Sequence, residues 1–197
     1  MARQGRHRRK PTGAGAPKPP QRVTVSIDAI GAQGEGVATF GEKRIYTPLT
    51  APGDVAVIDL SGDHGVLVGL QQESPHRAQP PCRHYGVCGG CALQHVNDDF
   101  QRDWKRQRVV SALARVGMAD PADAETIAQT VTTPAASRRR ATFSVQRARG
   151  AVVLGFNMRR SKEIVALEDC RILHPDLLTR LEGDFSRHIE RGRVDPA

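Results

Sequence analysis

The alternation of apolar and polar positions in residues 21–74 predicts a series of short β-strands. In residues 23–30, Val23, Val25 and Ile27 alternate with polar side chains, which is the pattern of a half-buried strand. Glycine, proline and aspartate interrupt the pattern at short intervals, as turns do. So many short strands favour a small antiparallel barrel, because closure of a sheet removes its exposed edges. Further strands are predicted at residues 37–40, 44–48, 55–60 and 66–71.

The spacing of apolar residues becomes helical after residue 96. Asn97, followed by two aspartates, predicts a helix N-terminus, and an apolar stripe runs from Phe100 to Val116. Gly117 is a suitable C-terminal stop for this helix. Trp104 lies on the stripe, and we interpret it as a core residue rather than as a platform for base stacking.

A second β-rich segment follows the helix. Its pattern predicts strands at residues 141–147, 151–157 and 163–167, and then a helix from Pro175 to about residue 191. The predicted fold class is therefore mixed β and α+β, with a small N-terminal β-barrel followed by an α+β domain.

The net charge of +8 is unevenly distributed along the chain. Residues 1–20 contain six basic side chains and no acidic one, whereas the remaining residues carry 23 basic against 21 acidic side chains. The low hydrophobicity of this tail predicts disorder. It is either a basic arm that binds phosphates or a solvated tail that aids solubility.

A second basic concentration lies in residues 138–162, on the predicted strands. An uncompensated basic β segment repels itself unless an anion is usually nearby, and arginine is suited to bidentate phosphate contacts. We therefore predict an RNA-facing surface here, with an ordinary solvated surface as the alternative. The residues of the segment are Arg138, Arg139, Arg140, Arg147, Arg149, Arg159, Arg160 and Lys162.

The sequence shows neither an export signal nor a run of about 18 apolar residues that could span a membrane. We therefore expect a cytoplasmic protein that does not bind membranes. In a reducing compartment, four cysteines indicate a metal site or catalysis more often than disulfides.

Three of the four cysteines are close together, in the spacing C-x5-C-x2-C. Cys82, Cys88 and Cys91 could surround one centre, and Cys170 could complete a tetrahedral set. The two glycines between Cys88 and Cys91 would allow the backbone to approach an inorganic core. The spacing leaves two centres open: an iron–sulfur cluster, or a zinc ion held by the four cysteines or by three of them with His84 or His95. Three adjacent thiols are a ligand arrangement rather than a nucleophile's, so cysteine catalysis is disfavoured.

Two motifs resemble known families. Residues 34–38, the strand that ends at Pro48 and the turn at residues 52–54 are similar to a TRAM domain, an OB-like RNA-binding barrel. The stretch CRHYGVCGGCALQH at residues 82–95 resembles the iron–sulfur motif of bacterial RNA (uracil-5-)-methyltransferases.

This resemblance implies a 4Fe–4S cluster held by Cys82, Cys88, Cys91 and Cys170, and S-adenosylmethionine as the methyl donor. The barrel together with the cluster motif favours the family branch that acts on 23S ribosomal RNA over transfer-RNA enzymes. Residues 137–141 and 155–161 also resemble segments around the RNA-facing central domain of that family. Ser137 stands where the family commonly has an aromatic residue.

The resemblance covers roughly residues 22–178. Family members continue into a Rossmann-like methyltransferase domain, and we find no strand–glycine loop–helix signature for it here. We therefore expect a fragment, a truncated product or one part of a split enzyme, monomeric and inactive alone. The predicted organisation is a tail at 1–20, a TRAM-like barrel at 21–74 and an incomplete iron–sulfur domain at 75–197. The alternatives are a stand-alone RNA-binding adaptor with a zinc or iron–sulfur site and, less favoured, an iron–sulfur electron carrier.

Overall fold

The computed structural model describes residues 19–118, 126–148 and 151–180. The predicted disordered tail lies almost entirely outside the described residues. The same is true of the turn at residues 149–150 and of the end of the second predicted helix.

Six strands form the first sheet, in the order β1-β5-β6-β4-β3-β2. Their bounds follow the predicted pattern closely, except that the first predicted strand is divided in two. Ile27 donates its backbone N–H to Asp54 O, and Asp28 donates to Val37 O, so the chain changes pairing partner at this point. The strands are β1 (Gln21–Ser26), β2 (Ala29–Ile30), β3 (Gly36–Phe40), β4 (Lys43–Thr47), β5 (Val55–Ser61) and β6 (His64–Gln72).

The sheet is curled, and one of its pairings departs from the antiparallel prediction. β4 and β6 pair in parallel at a single position, where Tyr46 faces His64. All other pairings in this sheet are antiparallel. The parallel contact arises because the sheet curls until the end of β4 meets the start of β6.

The alternating positions of this sheet form its core. Val25, Ile27, Ile45 and Ile58 are buried together with small residues from the neighbouring strands. Gly65 faces this core from β6, because a Cβ placed there would lie 2.4 Å from Thr47 Oγ1. The predicted inward face is therefore confirmed.

A three-stranded antiparallel sheet follows, with β8 in its centre. The strands are β7 (Ser144–Ala148), β8 (Ala151–Asn157) and β9 (Ile164–Ala166). Gly155 allows β8 and β9 to approach, because a Cβ there would lie 1.8 Å from Val165 O. The predicted meander is confirmed.

Two helices complete the described structure, α1 (Asp98–Arg115) and α2 (Pro175–Arg180). The Asn97 side chain caps α1 by accepting from the Phe100 N–H, as predicted. Trp104 packs against Ile30, and its indole N–H donates to Ile30 O at 3.1 Å. Trp104 is partly buried and packs against the core, which agrees with its interpretation as a core residue. Within the residues that the structure covers, no helix is both long and apolar enough to cross a membrane.

Candidate metal centre and basic surface

Tight turns bring the first cysteines of the chain together. Tyr85 N–H donates to Cys82 O, and the Val87 and Cys88 N–H groups both donate to His84 O. Gly86 adopts a φ of 90°, which favours glycine over other residues. The loop therefore doubles back between Cys82 and Cys88.

The end of β8 supports this loop from one side. Gly89 N–H donates to Asn157 O at 2.9 Å, and Cys88 forms an isolated β-bridge with Met158. A Cβ on Gly89 would lie 2.8 Å from the same Asn157 oxygen, so glycine allows this approach. The next residue, Gly90, donates its N–H to Cys88 Sγ at 3.4 Å. The glycine pair therefore brings one backbone N–H to a cysteine sulfur.

Cys170 reaches the same place from the end of β9. Arg171 Nε donates to Pro81 O at 3.2 Å, and Arg83 Nη1 lies 2.6 Å from Glu168 Oε2. These contacts join the segment that precedes Cys82 to the segment around Cys170. Two parts of the chain about ninety residues apart are thus held side by side.

All four cysteines line one small, enclosed cavity. None of them forms a disulfide. Burial raises the pKa of the Cys88 thiol and of the Cys91 thiol, which favours their neutral form in the absence of a cation. A bound metal centre would reverse this preference, since metal ligation deprotonates thiols.

Several buried polar atoms around the same cavity have no hydrogen-bond partner. His84 Nε2, Gln94 Oε1 and Asp169 Oδ1 belong to residues that line it, and Arg159 Nε lies beside it. In the described part of the chain, Thr47 Oγ1 is the only other buried side-chain nitrogen or oxygen atom without a hydrogen-bond partner. Unpartnered polar atoms are costly in a protein interior, so their concentration here fits a cavity that holds a charged or polar group.

The donor chemistry of the cavity is that of a thiolate-bound metal centre. In tetrahedral zinc–thiolate sites the sulfur atoms lie about 3.8 Å apart, as Zn–S bonds of about 2.3 Å require. Over residues 19–118, 126–148 and 151–180, no three His, Cys, Asp or Glu side chains are grouped as ligands of one metal ion. Four free thiols that line one cavity are the donor set of both an iron–sulfur cluster and a zinc ion, the two centres that the cysteine spacing leaves open.

His95 is engaged elsewhere and is not placed as a ligand. Its Nε2 lies 3.0 Å from Thr50 O, which can only accept, so Nε2 donates. Its Nδ1 lies 2.5 Å from the Tyr85 hydroxyl, which is also 2.8 Å from Ala92 O. Burial lowers the pKa of His95 and raises the pKa of Tyr85 to about 12. This network connects the cysteine loop with the six-stranded sheet.

A buried carboxylate makes a second connection between the six-stranded sheet and the segment that leads to the cysteine loop. Asp54 is fully buried and accepts hydrogen bonds from the backbone N–H groups of Ala51 and Ser74. Arg77 Nη1 lies 3.3 Å from the same carboxylate and also donates to Leu49 O. The sequence pattern identified Asp54 only as a turn residue and did not single out Arg77. No local signal distinguishes a capping aspartate from one that binds a distant arginine.

The structure describes seven residues of the predicted RNA surface, and six of them are exposed: Arg160, which has an internal partner, and five others. Over the described residues, none of the five forms an ion pair with a carboxylate. The backbone of Arg138 is fixed, because its N–H donates to Ile172 O and its carbonyl accepts from His174 N–H. The five are Arg138, Arg139, Arg140, Arg147 and Lys162.

The other two arginines make contacts within the chain. Arg159 Nη2 donates to Cys91 O at 3.0 Å, and Arg160 Nη2 lies 3.3 Å from Glu35 Oε1. The Glu35 side chain is 10% exposed, and it belongs to the six-stranded sheet region. Arg149, the eighth basic residue of the segment, lies outside the described residues. The structure thus gives Arg159 and Arg160 internal partners that the charge pattern did not reveal.

No family model matches the chain. Its similarity to individual proteins is extensive. It is 40% identical over 158 residues to an uncharacterized RNA methyltransferase of Brucella suis, covering 80% of this chain and 37% of that protein. It is 41% identical over 174 residues to an uncharacterized RNA methyltransferase of Caulobacter vibrioides, covering 83% of this chain and 40% of that protein.

A third relative carries a more specific name. The 23S rRNA (uracil(1939)-C(5))-methyltransferase RlmD of Photorhabdus laumondii is 34% identical over 160 residues, covering 79% of this chain and 36% of that protein. The chain is a homologue of bacterial RNA methyltransferases. The resemblance drawn from the motifs is therefore confirmed at this level. The chain spans less than half the length of the relatives it matches.

Proposed function

We propose that this chain is the RNA-docking and iron–sulfur portion of an S-adenosylmethionine-dependent RNA uracil-C5 methyltransferase. The target would be 23S ribosomal RNA rather than transfer RNA, in the cytoplasm. The observation that carries the proposal is the meeting of Cys82, Cys88, Cys91 and Cys170 at one cavity in a homologue of RNA methyltransferases.

The four cysteines would hold a 4Fe–4S cluster, whose role is to fix the domain rather than to carry electrons. Three features of the chain support this site. Gly90 N–H donates to Cys88 Sγ, Gly89 leaves room for the end of β8, and Arg171 holds the Cys170 segment against Pro81. These contacts position the thiols.

RNA would bind through the exposed basic residues and the six-stranded sheet, which we assign to a TRAM-like barrel. Arg139 and Arg140 are exposed next to the backbone-anchored Arg138, so their guanidinium groups can meet phosphates at low ordering cost. On the sheet, Tyr46 and His64 present rings whose centroids lie 6.3 Å apart, beside an open groove of about 780 Å³. Aromatic rings at a groove are suited to stacking with unpaired bases.

Methyl transfer and binding of S-adenosylmethionine would belong to the portion of such an enzyme that this chain does not span. In the relatives, about 60% of the length lies outside the match. We therefore propose that the 197-residue chain alone binds RNA without methylating it.

The first test of the site is anaerobic purification of the chain followed by absorption spectroscopy and analysis of iron, sulfide and zinc. We expect broad absorption near about 400 nm and roughly four irons per chain. A colourless protein with one zinc ion would overturn the cluster and favour an RNA-binding adaptor instead.

The RNA surface is tested by changing Arg138, Arg139 and Arg140 to glutamine and measuring binding to a 23S ribosomal RNA fragment and to transfer RNA over a range of salt concentrations. We expect weaker binding and a salt dependence that is shallower by about one unit for each phosphate that the variant no longer binds. The matched control removes the same charge from α1, with Lys105, Arg108 and Arg115 changed to glutamine. An equal reduction of binding in both variants would mean that binding responds to net charge alone.

A further inference from the structure

Two nitrogen atoms beside the cysteine cavity are buried without a hydrogen-bond partner. His84 Nε2 belongs to a ring that lines the cavity, two residues after Cys82. The second atom is Nε of Arg159, which lies in the connection between β8 and β9. The same side chain donates through Nη2 to Cys91 O. The positive charge of Arg159 acts against the rise in the pKa of the Cys88 thiol that burial causes.

An arginine Nε always carries a proton and can only donate, so an unpartnered buried Nε needs an acceptor. The acceptors that a metal centre would bring to this cavity are sulfur atoms of cysteine thiolates and of inorganic sulfide. Both carry negative charge, and N–H donors stabilise that charge in a dry site. The Gly90 N–H already makes such a contact with Cys88 Sγ.

We propose that His84 Nε2–H and Arg159 Nε–H donate hydrogen bonds to sulfur atoms of the cluster and thereby retain it. This inference rests on the proposed cluster and deepens it, because it assigns the proton of the His84 ring to Nε2 and gives both side chains a positioning role. Arg159 then has two functions: Nη2 fixes the backbone that follows Gly90, and Nε faces the cluster.

The remaining unpartnered atoms have a different chemistry. Asp169 Oδ1 and Gln94 Oε1 are acceptors and cannot bind an anionic sulfur atom. The Gln94 amide nitrogen can donate, and Gln94 interacts with the Cys91 thiol as a hydrogen-bond donor. The proposal therefore concerns the two donors His84 and Arg159, and Gln94 is left unchanged in the test.

The test uses the full chain purified anaerobically with its cluster. Resonance Raman spectra of the unaltered protein are recorded in H₂O and in D₂O, since deuteration of N–H donors shifts the Fe–S stretching bands that they contact. His84→Phe and Arg159→Lys should each reduce this shift. Both variants should also release iron to a ferrous chelator about tenfold faster or more, as removal of a hydrogen bond to a metal ligand does in other sites. Arg160→Lys is the matched control, because the neighbouring arginine pairs with Glu35 instead.

Each outcome has a defined meaning. A D₂O shift in the unaltered protein that is reduced in both variants, with Arg160→Lys unchanged, supports the proposal. A protein that contains the cluster but shows no D₂O shift, or variants with unchanged spectra and iron release, would overturn the donor assignment while leaving the cluster intact. A protein with zinc in place of iron, released on His84→Phe, would make His84 a ligand and overturn both. Because the Gly90 N–H also contacts Cys88 Sγ, a shift in the unaltered chain does not by itself support the proposal, and the difference between the chain and its variants decides it. His84→Gln or Arg159→Gln replaces a variant that fails to fold, and an unaltered chain without any shift overturns the donor assignment without a variant.

Discussion

Two regions of the chain are held together by different forces. The six-stranded sheet buries a continuous apolar cluster, in which Ile45 and Ile58 are almost completely inaccessible to solvent. We call the described residues of 75–97 and 134–174 the cysteine region. Of its large apolar side chains, only Val96 and Leu173 are buried to a similar extent. Its order depends more on backbone hydrogen bonds, glycines and the convergence of thiols.

This contrast shows where a metal centre matters for stability. Burial of apolar area stabilises a fold in any solvent condition that preserves the core, at about 25 cal/mol for each Å². A region without such a core needs a crosslink, and a metal centre supplies one by restricting long loops. We therefore expect the two regions to respond differently to the same perturbations.

The largest effect is expected from removal of a cysteine of the proposed ligand set. Cys170→Ala should unfold the three-stranded sheet and the Cys82 loop, at a cost above about 5 kcal/mol for that region. Hydrogen exchange should show reduced protection in β7 to β9 and preserved protection in β5 and β6. Val87→Ala, an exposed position of the same loop, is the control. An equal decrease of protection in both regions would contradict the contrast between them.

The converse perturbation is Ile58→Ala in the core of the six-stranded sheet. Because Ile58 is fully buried, truncation should lower the free energy of unfolding by about 2–5 kcal/mol. Chemical denaturation measures this decrease, and metal content should stay unchanged. Val66→Ala on β6, where the side chain is 68% exposed, should change stability by less than about 0.5 kcal/mol. If Ile58→Ala instead released the metal first, the sheet core and the cysteine region would have to be one unit.

A third change acts on the junction between the regions. Asp54→Asn replaces one carboxylate oxygen by an NH₂ group, which cannot accept from both backbone donors that now point at the carboxylate. One buried N–H is left without its partner, and Arg77 without its counter-ion. We expect a decrease of about 1–3 kcal/mol in the free energy of unfolding, measured by chemical denaturation. Asp63→Asn, at an exposed position in the turn between β5 and β6, is the control and should be close to neutral.

The sequence predicted the sheet better than the junction. Alternation of apolar residues is a local signal with a fixed period, so β3, β5 and β8 were located to within one residue. The division of the first strand into β1 and β2 was missed, because it depends on a change of pairing partner. The parallel contact between β4 and β6 was missed for the same reason. Strand pairing depends on the whole sheet, so it cannot be predicted from a short segment of sequence.

The candidate site shows the same division. Cysteine spacing is a strong local signal, and the four predicted cysteines do meet at one cavity. The concentration of basic residues placed Arg159 and Arg160 on the predicted RNA surface. It did not indicate their partners within the chain, which are Cys91 O and Glu35. These partners lie far away in sequence, so composition could not reveal them. That the exposed arginines bind RNA therefore stays a prediction.

Acidic pH provides a milder perturbation of the junction. Burial lowers the pKa of His95 below its ordinary value of 6.5, so the folded chain keeps this ring neutral when the unfolded chain protonates it. Above pH 6.5 both states are neutral and His95 contributes no pH dependence. As the pH falls below 6.5, stability should decrease until the folded-state pKa is reached. Urea denaturation at about pH 7.5 and about pH 5.5, on either side of the ordinary histidine pKa, measures the decrease, and His95→Gln should reduce it. An unchanged slope in His95→Gln would assign the pH dependence to other groups.

The smallest effect is expected at the ion pair that links the cysteine region to the sheet. Arg160 is half-exposed and adopts a φ of 55°, and Glu35 is nearly buried. Because alanine meets the same backbone strain as arginine at this φ, Arg160→Ala isolates the contribution of the ion pair. We expect stability to fall by about 0.5–1 kcal/mol, and by less at high salt, as screening of a half-exposed pair requires. Lys162→Ala removes an exposed basic residue two positions away and should not change stability measurably. If Arg160→Ala cost as much as Asp54→Asn, this ion pair would be a main contact between the two regions. The stability of each region would then depend on the other more than the contrast between them implies.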